Sequence, residues 1–396
     1  MRLAVLPAVL ALCGCNWVFG VEAGEPSGDG GNAPLPDGPV IYASAAELTA
    51  VKAKVDLGDE PWASAWPVFE QDVEQALALT PLSVVDNGAG ANESEPRAFA
   101  TDSLSTDCVV GLTNGRHDYC AALTMGWASR DLAIAWVMVR DGAYAERAIE
   151  LIHHFLLDDE TGVLPAATNA GPENDGASSG SPIEVDLWVP PFVYAASFLR
   201  GHPHWATLEH GEQDFEAWLA SWRADAASNA PSSGGGTRYL YHLNAVATVD
   251  AYLEQTAGLD ATLAAMQAYL GDNVDAAGVI DGAGSTAFFH LEAMTLTAQL
   301  ATYHGADLFG FSDSDGVVLS RAFTAYAPCL TGDAACPFGS TPDAGAIAEG
   351  ASMTELAYSA YEDPALLAAL ESVGRPVFDL RVLGWTTLTH GNAFDR

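Results

Sequence analysis

The sequence predicts an all-α protein, an incomplete α/α toroid built from helical hairpins, and three observations carry that expectation. From about Ser64 onward apolar residues recur at helical spacing, while the strict alternation of half-buried strands is scarce. The segments have the lengths of ordinary globular helices, and Gly, Pro, Asn and Asp punctuate the gaps. Helix-loop-helix pairs fill one domain without a fixed repeat period, which favours a ring of hairpins over an open solenoid.

In chain order the expected helices run over Ala65 to Leu79, Ala121 to Arg140, Ala143 to Leu157, Val185 to Leu199 and Gln213 to Ala227. Further on they cover Tyr239 to Gln255, Leu259 to Val274, Thr286 to His304, Val317 to Ala327 and Ala344 to Tyr361. Two longer connections stand out, Asn87 to Asp107 and Pro165 to Pro182, and segments of that length are either binding loops or plain insertions.

Composition narrows the function. The chain has 396 residues, 49% hydrophobic and 17% charged, enough to bury one large core. Its 52 Asp and Glu against 15 Lys and Arg give a formal charge of -37, which repels phosphate backbones and excludes nucleic acid as a partner. The same charge means that a polyanionic substrate would have to be drawn into a local basic pocket against the global field.

The start of the chain reads as an export signal. Met1-Arg2 precedes the apolar run Leu3 to Leu12 and then Cys13-Gly14-Cys15, a run too short to span a bilayer. Leu12-Cys13-Gly14-Cys15 looks like a lipobox, so acylation is expected at Cys15; an ordinary cleaved signal peptide is the other reading. Val21 to Pro39 is rich in Gly, Pro, Asp and Ser, as a flexible tether would be. The expected organisation is a lipoprotein signal over 1–15, a tether over 16–40 and one domain over 41–396. That places the protein in the periplasm or on the outer membrane, held by its lipid.

Four further cysteines remain, Cys108, Cys120, Cys329 and Cys336. An even number in an exported chain suggests disulfides, and the close spacings favour Cys108 with Cys120 and Cys329 with Cys336 among three connectivities. No histidine pair accompanies them at ligand spacing, so no metal is expected.

Several motifs share an order with one known family. Gly58-Asp59-Glu60-Pro61-Trp62 with Ala65-Trp66, then Leu79-Thr80-Pro81-Leu82-Ser83-Val84-Val85, resembles the opening of the alginate lyase family. His117-Asp118-Tyr119 is similar to a His-Asp-Tyr segment of that family, and Asp141 to Ala148 and Phe155 to Thr161 resemble its next helix and corner. Ala298-Gln299-Leu300-Ala301 leading to Gly305-Ala306-Asp307-Leu308-Phe309 completes a colinear set over about residues 45 to 330. The resemblance implies an α/α toroid and β-elimination on a uronic-acid polysaccharide such as alginate. An inactive glycan-binding surface lipoprotein of the same fold is the alternative.

Such an elimination needs a group to neutralise the C5 carboxylate, a base for the C5 proton and an acid for the leaving oxygen. Where the family carries Asn-Asn-His, this chain has Ser233-Gly234-Gly235-Gly236 ahead of Thr237. Asp275 to Gly278 leads to Thr286 without the family's Arg and Tyr. The required residue types recur nearby: Arg238, Tyr239, Tyr241 and His242 at a helix start, with His290 one helix pair away. Arg238 faces Tyr241 and His242 at i+3 and i+4. These five are the candidate catalytic residues; in a plainer reading Tyr239 and Tyr241 are core aromatics and Arg238 a surface residue. His117, Tyr119, Trp127 and Trp188 are candidate substrate-binding residues, the aromatics by stacking on sugar rings. Asp313-Ser314-Asp315-Gly316 has the flavour of a calcium loop but lacks its later Glu, and reads as a polar turn. The expected partner is an acidic polysaccharide, with no cofactor, and the expected state a monomer.

Overall fold

The computed structural model describes residues 33–86, 95–100, 117–167, 183–234, 236–332, 336–337, 342–379 and 382–391, save the side chains of His117 and Ser285. The lipobox cysteines, Cys108 and most of the two long connections lie outside the described residues.

The helices are α1 (Ala45–Leu57), α2 (Trp62–Leu77), α3 (His117–Val139), α4 (Gly142–Ile152), α5 (Ile183–Phe198), α6 (Glu212–Ser228) and α7 (Thr237–Tyr252). They continue with α8 (Thr256–Asn273), α9 (Ala287–Tyr303), α10 (Val318–Leu330), α11 (Ala344–Tyr361), α12 (Pro364–Val373) and the short α13 (Thr386–Thr389). A π turn, His153–Leu157, extends α4. β1 (Ser312–Asp313) and β2 (Gly316–Val317) form a small antiparallel hairpin. Asp313 there is held by Arg321, so this turn is an ion-paired corner.

The ten expected helices form, each within a few residues of its expected bounds, and α1, α12 and α13 are additional. α1 starts with a capping box: Ser44 Oγ accepts from Glu47 N at 3.1 Å and Glu47 Oε2 accepts from Ser44 N at 2.8 Å. α12 starts on Asp363 as N-cap with Pro364 in the first turn.

The architecture is an incomplete α/α toroid. α3, α5, α7, α9 and α11 pack each against the next as an inner row, and α4, α6, α8, α10 and α12 lie outside them. The inner helices touch protein on nearly every side. α5 is buried over Glu184 to Phe198 and α7 over Leu240 to Tyr252, so neither shows the apolar stripe of a surface helix. α13 touches α1, α2 and α11, so the last hairpin joins the first.

Because an outer helix separates each inner helix from the next, the inner helices all run the same way. Their C-terminal ends meet the segment 33–47. Arg140, just past α3, donates to the Ala33 carbonyl, and Tyr42 stacks on Tyr194 of α5 at 4.7 Å between ring centres. Tyr303 of α9 donates to Glu47 at 2.9 Å, and His304 lies 3.1 Å from the Val40 carbonyl. The C-terminal residues complete this closure: Tyr42 Oη donates to the Leu383 carbonyl, and His390 Nε2 lies 3.0 Å from the Tyr42 carbonyl. The opposite end of the ring is formed by the N-termini of the inner helices.

Cys329 and Cys336 form the expected disulfide. No helix among the described residues is long and apolar enough to cross a membrane.

Candidate active site at the N-terminal end of the inner helices

α7 starts at Gly236, whose φ of +54° and ψ of -129° suit glycine and strain any other residue. A Cβ built there would stand 3.7 Å from the His290 ring, an ordinary contact, so the backbone conformation and not crowding requires glycine. From this start the helix spreads its side chains over two neighbours. Thr237, Tyr241 and Asn244 face α9, while Arg238 and His242, one turn apart, face α5.

On the α5 side, His242 Nδ1 stands 3.4 Å from Asp186 Oδ1. Asp186 is only 3% exposed. Burial raises its carboxyl above the usual range, while His242 and then Arg238 pull it back toward the ionised form. Among the described residues Arg238 forms no ion pair and no hydrogen bond, and its Nε is buried without a hydrogen-bond partner. Every other described arginine is engaged: Arg97, Arg140 and Arg147 on carbonyls, and Arg130, Arg200, Arg223, Arg321 and Arg375 on carboxylates.

On the α9 side, His290 Nε2 lies 2.8 Å from Thr237 Oγ1 and its Nδ1 lies 3.5 Å from Tyr269 Oη of α8. Burial pushes His290 down to about 4, so the imidazole is neutral at neutral pH. Tyr239 is half-buried, with its ring 6.1 Å from that of Tyr269. Tyr241 is buried and donates its hydroxyl to Glu292, itself fully buried on α9.

The structure thus brings Arg238 and His242 together through Asp186, and ties His290 to the start of α7. No hydrogen bond joins His290 to His242, and the Tyr241 phenol is committed to Glu292. Sequence reasoning missed Asp186 and Glu292. For Asp186 a clue existed: a lone carboxylate in the apolar run Val185 to Phe192, beside Pro190-Pro191, is a residue that needs a partner.

The candidate sugar-stacking residues are placed differently. Trp188 has no exposed surface; Phe99, Phe155, Phe192 and Trp218 pack round its indole, so no face remains for a sugar. It is a core residue because α5 is an inner helix enclosed on all sides. Tyr119 is also buried, near the start of α3. Trp127 is half-buried and lines a cavity of about 320 Å³ between α2, α3 and Phe378-Asp379, with Asp72 and Asp131. α5 stands between that cavity and α7. His117 begins α3; its side chain lies outside the described set, as does Cys108, the expected partner of Cys120.

Known proteins share this architecture. An alginate lyase from Bacteroides ovatus superposes with a TM-score of 0.70 at 16% identity, covering 89% of this chain and 98% of its own. Alginate lyase A1-III from Sphingomonas species A1 gives 0.58 at 12% identity, over 89% of this chain and 97% of its own. A histidine-to-alanine variant of alginate lyase A1-III, in complex with a tetrasaccharide, gives 0.57 at 14% identity, over 90% and 96%. No curated protein sequence matches the chain. The profile of the family described as alginate lyase matches residues 110–335, more than half of the chain and the span that holds α3 to α10. The chain belongs to the alginate lyase family.

Proposed function

We propose that this protein is a polysaccharide lyase that cleaves a uronic-acid polysaccharide by β-elimination. The observation that carries the reading is Arg238, the one described arginine without an ion pair or hydrogen bond among the described residues in a chain of net charge -37, standing beside a buried imidazole and carboxylate. A free guanidinium in such a chain has surplus binding capacity for an anion, and its fork matches a carboxylate. The positive ends of the inner helices lie at the same end of the ring and add to the attraction.

In this reading Arg238 takes the C5 carboxylate and so stabilises the charge that develops when the C5 proton leaves. His242 accepts that proton on Nε2. The electron pair of the C5–H bond becomes the C4–C5 double bond, the C4–O bond breaks, and the departing oxygen takes a proton from Tyr239, whose hydroxyl has no hydrogen-bond partner among the described residues. Solvent then returns the proton from His242 to Tyr239. His290, held neutral, orders the start of α7, and Tyr241 anchors that helix to α9.

The test is incubation with mannuronan, guluronan, glucuronan and polygalacturonate, following the ultraviolet absorbance of the unsaturated product. Product with one or more of these polymers, lost in Arg238→Ala and partly kept in Arg238→Lys, is the expected result. Full activity of Arg238→Ala overturns the assignment. Glycan affinity without product from any polymer overturns the lyase reading and favours a binding protein. We also propose export and acylation at Cys15, with the tether over 16–40; a Cys15→Ser variant that still partitions with membranes refutes it.

A further inference from the structure

We infer that Asp186 is the positioning residue of this site: its carboxylate keeps the proton of His242 on Nδ1 and thereby leaves Nε2 as the basic nitrogen. The assignment deepens the lyase reading and rests on it for its catalytic consequence.

Geometry carries the argument. His242 Nδ1 and Asp186 Oδ1 are 3.4 Å apart, a separation of the kind that resting sites close when substrate arrives. Asp186 Oδ1 is buried and makes no hydrogen bond among the described residues, which leaves the imidazole 3.4 Å away as the group that faces it. An ionised carboxylate out of water is costly unless a donor meets it, and the facing donor here is the imidazole N–H. Arg238 is close enough to favour the charged carboxylate but does not bond to it, so the guanidinium stays available.

The local sequence prepares this carboxylate. Pro190 and Pro191 lack the N–H groups that would bond the carbonyls of Asp186 and Leu187 four residues earlier, which loosens the first turn of α5. α3 holds the proline pair in place from behind: a Cβ added at Gly126 would stand 3.2 Å from Pro191 Cβ. Asp186 therefore sits on a turn set by packing more than by its own helix.

Chemically, a neutral imidazole can take the C5 proton only on the nitrogen that carries none. With the proton fixed on Nδ1, Nε2 is that nitrogen, and the imidazolium formed after transfer is stabilised by the carboxylate behind it. Asp186 touches neither substrate nor reacting atoms.

The experiment joins nitrogen-15 NMR of the histidine rings with kinetics on the full chain, His242 being assigned by its loss in His242→Gln. The wild type is expected to show His242 protonated on Nδ1, and Asp186→Asn and Asp186→Ala to shift it toward the Nε2–H form. Asp186→Asn is expected to lower kcat about 10²-fold with KM unchanged, as loss of an oriented proton acceptor would, and Asp186→Glu to restore part of the rate. The unchanged ring signals of the other histidines verify folding. A wild-type His242 protonated on Nε2, or Asp186 variants with wild-type kcat, overturns the inference. If the wild type makes no product from any uronate, the lyase reading falls by itself, and the tautomer of His242 still decides whether Asp186 positions it.

Discussion

Arg223→Met is expected to destabilise the protein by about 3–5 kcal/mol, the cost of breaking a buried ion pair from one side. Arg223, on outer helix α6, grips Asp250 of inner helix α7 with both arms of its guanidinium, Nε to Oδ1 at 2.7 Å and Nη2 to Oδ2 at 3.0 Å. Asp250 has no exposed surface, and α8 closes over it: a Cβ added at Gly258 would come within 2.5 Å of Oδ2. Asp250 lies out of water, so the variant leaves its carboxylate uncompensated. Methionine keeps most of the stem packing, which confines the loss to the charge. At about 2 °C per kcal/mol for a chain of this size, Tm should fall by about 6–10 °C. The assay is guanidinium unfolding followed by far-ultraviolet circular dichroism, with a thermal scan beside it. Adding Asp250→Asn to Arg223→Met should recover most of the loss, because the second change removes the stranded charge. A single variant within about 1 kcal/mol of wild type, or a double variant as unstable as the single one, refutes the reasoning.

Tyr239→Phe should lower kcat by about 10²-fold or more while leaving glycan affinity and Tm unchanged, because the phenol is the acid of the proposed reaction and has no hydrogen-bond partner among the described residues; equal turnover by the variant would exclude it. Burial pushes His290 and His390 down to about 4 from the ordinary 6.5. Both stay neutral in the fold while the unfolded chain takes up protons below about 6.5, so their contribution to stability is lost as pH falls from about 6.5 toward 4. Asp72, pushed up to about 6 by burial and by Asp131, acts in the opposite sense, so the measurement is a difference. Unfolding free energy over that pH range should have a shallower slope from these two sites in His390→Gln than in wild type, and an unchanged slope would contradict the assignment. Gly384 has a φ of +66°, and a Cβ there would overlap the guanidinium of Arg130, which donates to the Val382 carbonyl at 3.0 Å. Gly384→Ala should therefore cost more than about 1 kcal/mol in denaturant unfolding, through both backbone strain and lost closure of the ring; a neutral effect would show that this corner can relax.

The ring architecture was legible from helical periodicity and punctuation because each helix must bury a face whatever its neighbours are, and local pattern records that need. α1 is invisible to periodicity although Ser44 and Glu47 spell out its capping box, since it buries only Leu48 and Val51. Trp188 shows the opposite limit. An indole looks alike in sequence whether it lines a cleft or fills a core, and only the enclosure of α5 by its neighbours decides between them.

At the site, the sequence by itself determined that Arg238 and His242 share one face of a helix, because that follows from 3.6 residues per turn. It also determined the acidic balance that makes a free arginine informative. Tertiary structure alone decided that this face meets Asp186, some 50 residues earlier in the chain, that Tyr241 turns instead to Glu292, and that His290 binds the start of α7 without reaching His242. The reason is physical: spacing within a helix is fixed by local backbone geometry, whereas the partner of each side chain is set by how separate helices pack, and packing depends on the whole ring.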